Sequence, residues 1–166
     1  MPVSFFMKNK ATVAWLSNQA RYEYITEELL GDHDIDIQWL SSTGDALPPL
    51  RSTRYPLILT DLAVALCSSR ESHAALSRPD SDFHSFRGRP YDAVMHMIRN
   101  LRKDPSANKE TPLLMVCYFN PVNDGLFPKA KECALAAGAT EYIYRLDISA
   151  TDLVKKVQHY MRLGTQ

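Results

Sequence analysis

"YPLILTDLAV" (residues 55–64) is apolar almost throughout and is broken by a single acid, Asp61. Its centre, "LIL" (57–59), lacks the polar alternation of a half-exposed strand, so it reads as a strand buried on both faces, the pattern of a parallel sheet. "VAWL" (13–16) and "LLMV" (113–116) have the same character. Two further runs suit sheet edges: "IDIQW" (35–39) alternates apolar with polar residues, and "EYIYR" (141–145) is bounded by charge.

Helical patterns lie between these strands. Tyr22, Ile25 and Leu29 share one face after the first strand, and Val94, Met97, Ile98 and Leu101 share one before the fourth. Ala130, Ala134 and Ala137 line a short fourth helix that Gly138 is placed to stop in the left-handed conformation. The fifth helix carries Leu153, Val154, Val157, Tyr160 and Met161, with Ser149 or Thr151 as its cap. In "GDALPPLRSTR" (44–54), Pro48 and Pro49 remove amide donors and restrict the backbone, so the second helix is expected to be at most a turn.

Strands alternating with helices predict right-handed crossovers and a doubly wound α/β fold, a five-stranded parallel sheet with helices on both faces. With the second and fifth strands at the edges, the order is 2-1-3-4-5, and the crevice lies beyond the carboxyl ends of strands one and three. Asp61 ends strand three. The polar segment "CSSRESHAALSRPDSDFHSFRGRP" (67–90) exceeds what this fold needs and is expected to be an inserted loop after strand three, within one domain spanning 1–166 with its core at 11–162.

Composition narrows the function. The 166 residues suffice for one well-buried core, and Lys+Arg 19 against Asp+Glu 19 leaves no broad basic field for a nucleic acid. Cys67, Cys117 and Cys133, an odd number without CxxC spacing, read as reduced thiols. The start "MPVSFFMKNK" is too short in apolar residues for a signal peptide, and no run is long enough to cross a bilayer. A cytoplasmic protein without direct nucleic-acid or membrane partners is expected.

In order and spacing the chain resembles the receiver domains of bacterial two-component response regulators, the CheY-like superfamily, from about Ala11 to Met161. Asp61 in "LILTDL" resembles the phosphoacceptor, "RNLRKDPSANKETPLLMV" (99–116) the helix, Asp-Pro turn and Pro-led fourth strand, and "AAGATEYIYRLDIS" (136–149) the Gly-Ala stretch that leads to the family's Lys-Pro. The resemblance implies aspartyl phosphorylation assisted by magnesium. The ion is held by the acceptor and an acidic pair after strand one, and a Ser/Thr after strand four and a lysine after strand five hold the phosphoryl oxygens.

Carried over by position, most of that machinery is altered. The acidic pair falls on Ser17 and Asn18, the Ser/Thr on Cys117, and the lysine on Arg145, which Leu146 follows in place of proline. Asp61 and the switch aromatic, Tyr142, remain. A hard dication deprived of two carboxylates binds weakly or not at all, and a guanidinium fork does not replace an ammonium point charge. The resemblance thus implies a degenerate receiver, a pseudo-receiver without catalytic turnover, in which Arg145 pairs directly with Asp61. It would act on a protein partner (kinase, output domain or regulator) or as a homodimer through the face of the fourth helix, fifth strand and fifth helix. The sequence ends soon after the fifth helix, so no output domain is expected.

Two alternatives stand beside it: an unusual receiver still phosphorylated on Asp61 by a histidine kinase, and a small flavodoxin-like enzyme or ligand-binding protein. Against the latter, "SNQARYEY" (17–24) supplies no glycine-rich phosphate loop after strand one. Plainer roles exist for the same residues. An acid at a strand end often satisfies loop amides, and Cys117 and Cys133 suit core packing. His73, Asp82 and His84 match no zinc spacing and read as solvated loop residues.

Overall fold

Five parallel strands form one sheet in the order β2-β1-β3-β4-β5, as the sequence predicts. The structure, a computed structural model, describes residues 10–17, 27–62, 92–117 and 129–165. Its strands are β1 (Ala11–Leu16), β2 (Ile35–Leu40), β3 (Ile58–Thr60), β4 (Leu113–Cys117) and β5 (Glu141–Tyr144). The helices are α1, described over 27–31, α2 (Thr43–Ser52), α3 (Asp92–Leu101), α4 (Ala130–Ala137) and α5 (Ala150–Gly164). Tyr22, Ile25 and the 67–90 segment lie outside the described residues.

Alternation along the buried strands divides the core into two layers. Ala14, Leu16, Ile58, Leu113, Met115 and Cys117 face α2, α3 and α4, whereas Val13, Trp15, Leu59, Leu114, Val116 and Ile143 face α1 and α5. The central strands β3 and β4 are buried at every residue, and the edge strand β2 alternates, so the apolar runs found their predicted places.

Two helix ends follow directly from sequence chemistry. Ser149 Oγ accepts from the Asp152 amide at the start of α5, and Gly138, with φ at 111°, ends α4 while its amide bonds back to the helix.

The expectation of at most a turn at Pro48–Pro49 is corrected: α2 is a ten-residue α-helix with both prolines inside it. The two missing amides forgo two ladder bonds, but both ends of the helix are secured. Ser42 Oγ accepts from the Asp45 amide, and beyond the prolines the buried Asn108 side chain donates to the carbonyls of Leu50 and Thr53. Ala46 and Leu50, four residues apart, are fully buried against the sheet. Tertiary packing of that stripe outweighs the local proline penalty.

Among the described residues, no helix is long and apolar enough to cross a membrane.

Candidate functional site

Asp61 follows the last residue of β3 and is fully buried, although it is an acid. Its amide donates to the Leu16 carbonyl at 2.8 Å, which fixes it beside the tip of β1. The next residue on that side, Ser17, is 7% exposed, and its amide donates to Leu40 at 3.0 Å. Parallel pairing brings Leu16 level with Thr60, so Ser17 and Asp61 follow at neighbouring strand tips. Asn18 lies outside the described residues.

Cys117 closes β4 and is fully buried. The same register places Thr60, Met115 and Tyr142 in one row across the sheet, with Cys117 two residues beyond Met115. Tyr142 is partly buried and packs on the layer containing Cys117. Its Oη is shut away from solvent, and the Cys117 thiol is a close neighbour of it rather than a well-formed hydrogen-bond partner. Burial pushes the Tyr142 hydroxyl well above the usual phenol range, helped first by Cys117 and then by the Asp61 charge and Tyr144. Asp61, Cys117 and Tyr142, distant in sequence, therefore converge.

Arg145 is placed differently from the sequence expectation. It opens a 3-10 turn (Arg145–Asp147), so β5 stops at Tyr144, and its Nη1 donates to the Ile148 carbonyl at 2.6 Å. Its Nε is buried with no hydrogen-bond partner among the described residues. The ion pairs among the described residues are Lys10–Asp36, Lys109–Asp104, Lys155–Asp152 and Lys156–Glu141, so the expected permanent Arg145–Asp61 pair is absent. A guanidinium needs a carbonyl in reach, and the tight turn after β5 supplies Ile148 locally. Leu146, at the position where proline was expected, is 73% exposed.

No group of three or more metal-ligating side chains occurs among the described residues. His73, Asp82 and His84 lie outside them. Cys133 is half-buried against the core, consistent with a packing role.

Three side-chain arrangements, two polar and one aromatic, escaped the sequence reading. The Glu141 carboxylate accepts from Lys156 and Tyr160, joining β5 to α5. Trp15 stacks on Trp39 with ring centroids 5.1 Å apart. Arg102 and Asn108 bind backbone carbonyls at the amino ends of the strands. Period-based reading sees apolar stripes, and these contacts join residues without any such period. The one available signal was Glu141 and Tyr160, both on elements already expected to be neighbours.

No family model and no curated protein matches the sequence. Solved structures do match across nearly the whole chain. A putative response regulator from Chloroflexus aurantiacus is 16% identical, with a TM-score of 0.62 over 92% of this chain and 98% of its own. The chemotaxis response regulator CheY4 of Vibrio cholerae is 16% identical, with a TM-score of 0.61 over 90% and 98%. The receiver domain of the sensor histidine kinase PA1611 from Pseudomonas aeruginosa, with a magnesium ion coordinated in its active-site cleft, is 12% identical, with a TM-score of 0.61 over 91% and 97%. With the strand order, the register and the buried acid at the tip of β3, these likenesses establish that the chain has the CheY-like receiver fold.

Proposed function

We propose that this chain is a degenerate receiver domain, a single domain that takes part in signal transduction through protein contact, with impaired or absent magnesium-dependent phosphorylation of Asp61. The observation that carries the reading is the donor set at the strand tips. One carboxylate is buried at the end of β3, and at the end of β1 stands the Ser17 hydroxyl, where a second acid would be needed.

A magnesium ion takes near-octahedral oxygen ligands and loses its water reluctantly, so it depends on carboxylate charge to be held by protein. Asp61 and Ser17 together supply one such charge and fit the ion poorly. Phosphoryl transfer to a carboxylate rests on neutralising the charge on the transferred group, and among the described residues little is available for that purpose. The Arg145 guanidinium is engaged by Ile148, and the position equivalent to the phosphate-holding hydroxyl is the Cys117 thiol, a weak donor. Tyr142 packs on the layer that holds Cys117, and its hydroxyl lies within the influence of both Cys117 and the Asp61 charge. The domain therefore keeps the shape of the switch without its trigger, and it has no catalytic turnover.

The contact surface we assign is the face of α4, β5 and α5. Leu135 on α4 and Leu146 after β5 are 43% and 73% exposed, and the half-buried Tyr144 lies on the open edge strand beside them. Exposed apolar and aromatic residues around a strand edge suit a protein partner or a second copy of this chain. A cytoplasmic location accords with a partner of that kind.

Beryllofluoride and magnesium, added to the isotope-labelled protein and followed by NMR, test the proposal. The expected result is unchanged resonances for Asp61, Cys117 and Tyr142 at millimolar magnesium. Large shifts there, or a phosphoryl mass increment on Asp61 after treatment with acetyl phosphate, would establish a working acceptor.

A further inference from the structure

Asp61 and Cys117 stand at the carboxyl ends of β3 and β4 and Tyr142 within β5, and the amino ends of these three strands are tied together by one polar network. Asn108, fully buried, is its centre. Its Oδ1 accepts from the Tyr55 amide at 2.9 Å, ahead of β3, and from the Thr111 hydroxyl at 3.0 Å, ahead of β4. The Thr111 hydroxyl shares its proton with the Tyr55 carbonyl at 3.2 Å. Arg102 completes the tie. Its Nη1 donates to the Asn108, Lys109 and Thr111 carbonyls at 3.0, 2.8 and 2.8 Å, and its Nε donates to the Gly138 carbonyl ahead of β5 at 2.9 Å.

Burial lowers the Arg102 pKa, with Glu110 opposing it, yet the group keeps its charge and is solvated mainly by carbonyls. Charge-assisted bonds of this kind are directional and costly to leave unmade. Among the described residues, the side chains of Arg102, Asn108 and Thr111 bond only to segments around α2 and ahead of β3, β4 and β5, and to none that precedes β1 or β2.

We propose that Asn108, Thr111 and Arg102 are positioning residues that set the axial register of β3, β4 and β5, and thereby the relative placement of Asp61, Cys117 and Tyr142. Tyr55 lies six positions before Asp61 with β3 between them, and Thr111 six positions before Cys117 with β4 between them. An extended strand is stiff along its axis, so a slip at the amino end reappears at the tip. β3 is short, three residues paired to β1 on one side and β4 on the other, with Leu57 and Asp61 bonded to β1 just beyond its ends, so the network at its amino end adds to a brief ladder in fixing its register. The assignment of a role to the tips rests on the proposed function, whereas the mechanical coupling does not.

The test is a chemical-shift map of Thr111→Val and Asn108→Ala. Thr111→Val is nearly isosteric, removes only the shared hydroxyl, and serves if Asn108→Ala fails to fold. The expected result is movement of the Asp61 amide, the Cys117 resonances and the Tyr142 ring beyond the linewidth, while the Ile35 and Ile37 methyls of β2 stay in place. Loss of thermal stability with unmoved Asp61 and Cys117 would reduce the network to a fastener and overturn the proposal. Equal movement of β2 would overturn it too, since that would be general loosening. Neither readout depends on magnesium or beryllofluoride, so failure here is separate from failure of the receiver reading.

Discussion

The Tyr160 hydroxyl of α5 and the Lys156 ammonium one turn earlier grip the two oxygens of Glu141, at 2.7 and 2.6 Å, and so clamp the last helix to the edge strand β5. Burial, the largest single influence, raises the Glu141 pKa. The bonds from Lys156 and Tyr160 and the charges of Lys156 and His159 together outweigh it, and the net effect is a lowered value. A depressed carboxylate pKa contributes stability above the unfolded value that is lost as pH falls through the folded one. Glu141→Gln is therefore expected to destabilise the domain by about 1 kcal/mol at pH 7, and the difference should vanish below the carboxylate range. Urea unfolding at neutral and acid pH measures both.

The same pair has an alkaline limb. Burial and then Glu141 push the Tyr160 hydroxyl up to about 12. A raised pKa contributes stability that is complete below the unfolded phenol value near 10 and is lost as pH rises through the folded value. Tyr160→Phe should therefore be less stable than the parent at pH 8, and the gap should narrow as pH approaches 12. Urea midpoints across that range decide it.

Glycine-to-alanine changes in helices usually stabilise by roughly 1 kcal/mol. Gly164 should reverse the sign. A Cβ there would stand 2.0 Å from the Pro56 carbonyl oxygen, which is backbone and cannot swing aside. Gly164→Ala is expected to lower the melting temperature and to fray the last turn of α5, visible as faster amide exchange there. An unchanged or raised melting temperature would contradict the close packing of α5 on the segment before β3.

Trp15 is fully buried, and its Nε1 has no acceptor among the described residues. An unsatisfied buried donor costs about 1–3 kcal/mol, a penalty that phenylalanine does not carry. Trp15→Phe should thus cost under about 1 kcal/mol despite the lost ring, against about 3–5 kcal/mol for Trp15→Ala. Chemical denaturation of the two variants gives the comparison.

Ser17→Asp places a second carboxylate in the buried crevice beside Asp61. Without a cation the two acids repel, so the variant should be less stable than the parent. Millimolar magnesium should restore stability to the variant and leave the parent unchanged, because only the variant binds the ion. Melting temperatures with magnesium and with a chelator measure this.

Much of the fold was legible because burial writes itself into the apolar runs. The runs at 13–16, 57–59 and 113–116 marked the three inner strands, the alternation of 35–39 marked an edge, and Gly138 and Ser149 marked two helix ends. α2 was misread because the proline rule is local, while the packing of Leu50 and the grip of Asn108 on its end come from segments far along the chain. At the candidate site, positions were legible and orientations were not. Asp61, Ser17 and Cys117 follow or close the strands the apolar runs marked, and Tyr142 lies within β5, but the choice of Arg145 between Asp61 and Ile148 depends on a turn geometry that no spacing announces.

The two tryptophans of the chain are Trp15 and Trp39, stacked with an interplanar angle of 26° on the β1–β2 flank. Trp15 belongs to the layer opposite the one that holds Cys117 and on which Tyr142 packs. Tryptophan emission from this protein is consequently a gauge of one sheet corner. Trp15 stands one residue before Leu16, whose carbonyl holds the Asp61 amide, so quenching on adding a ligand would report events that reach the tip of β1.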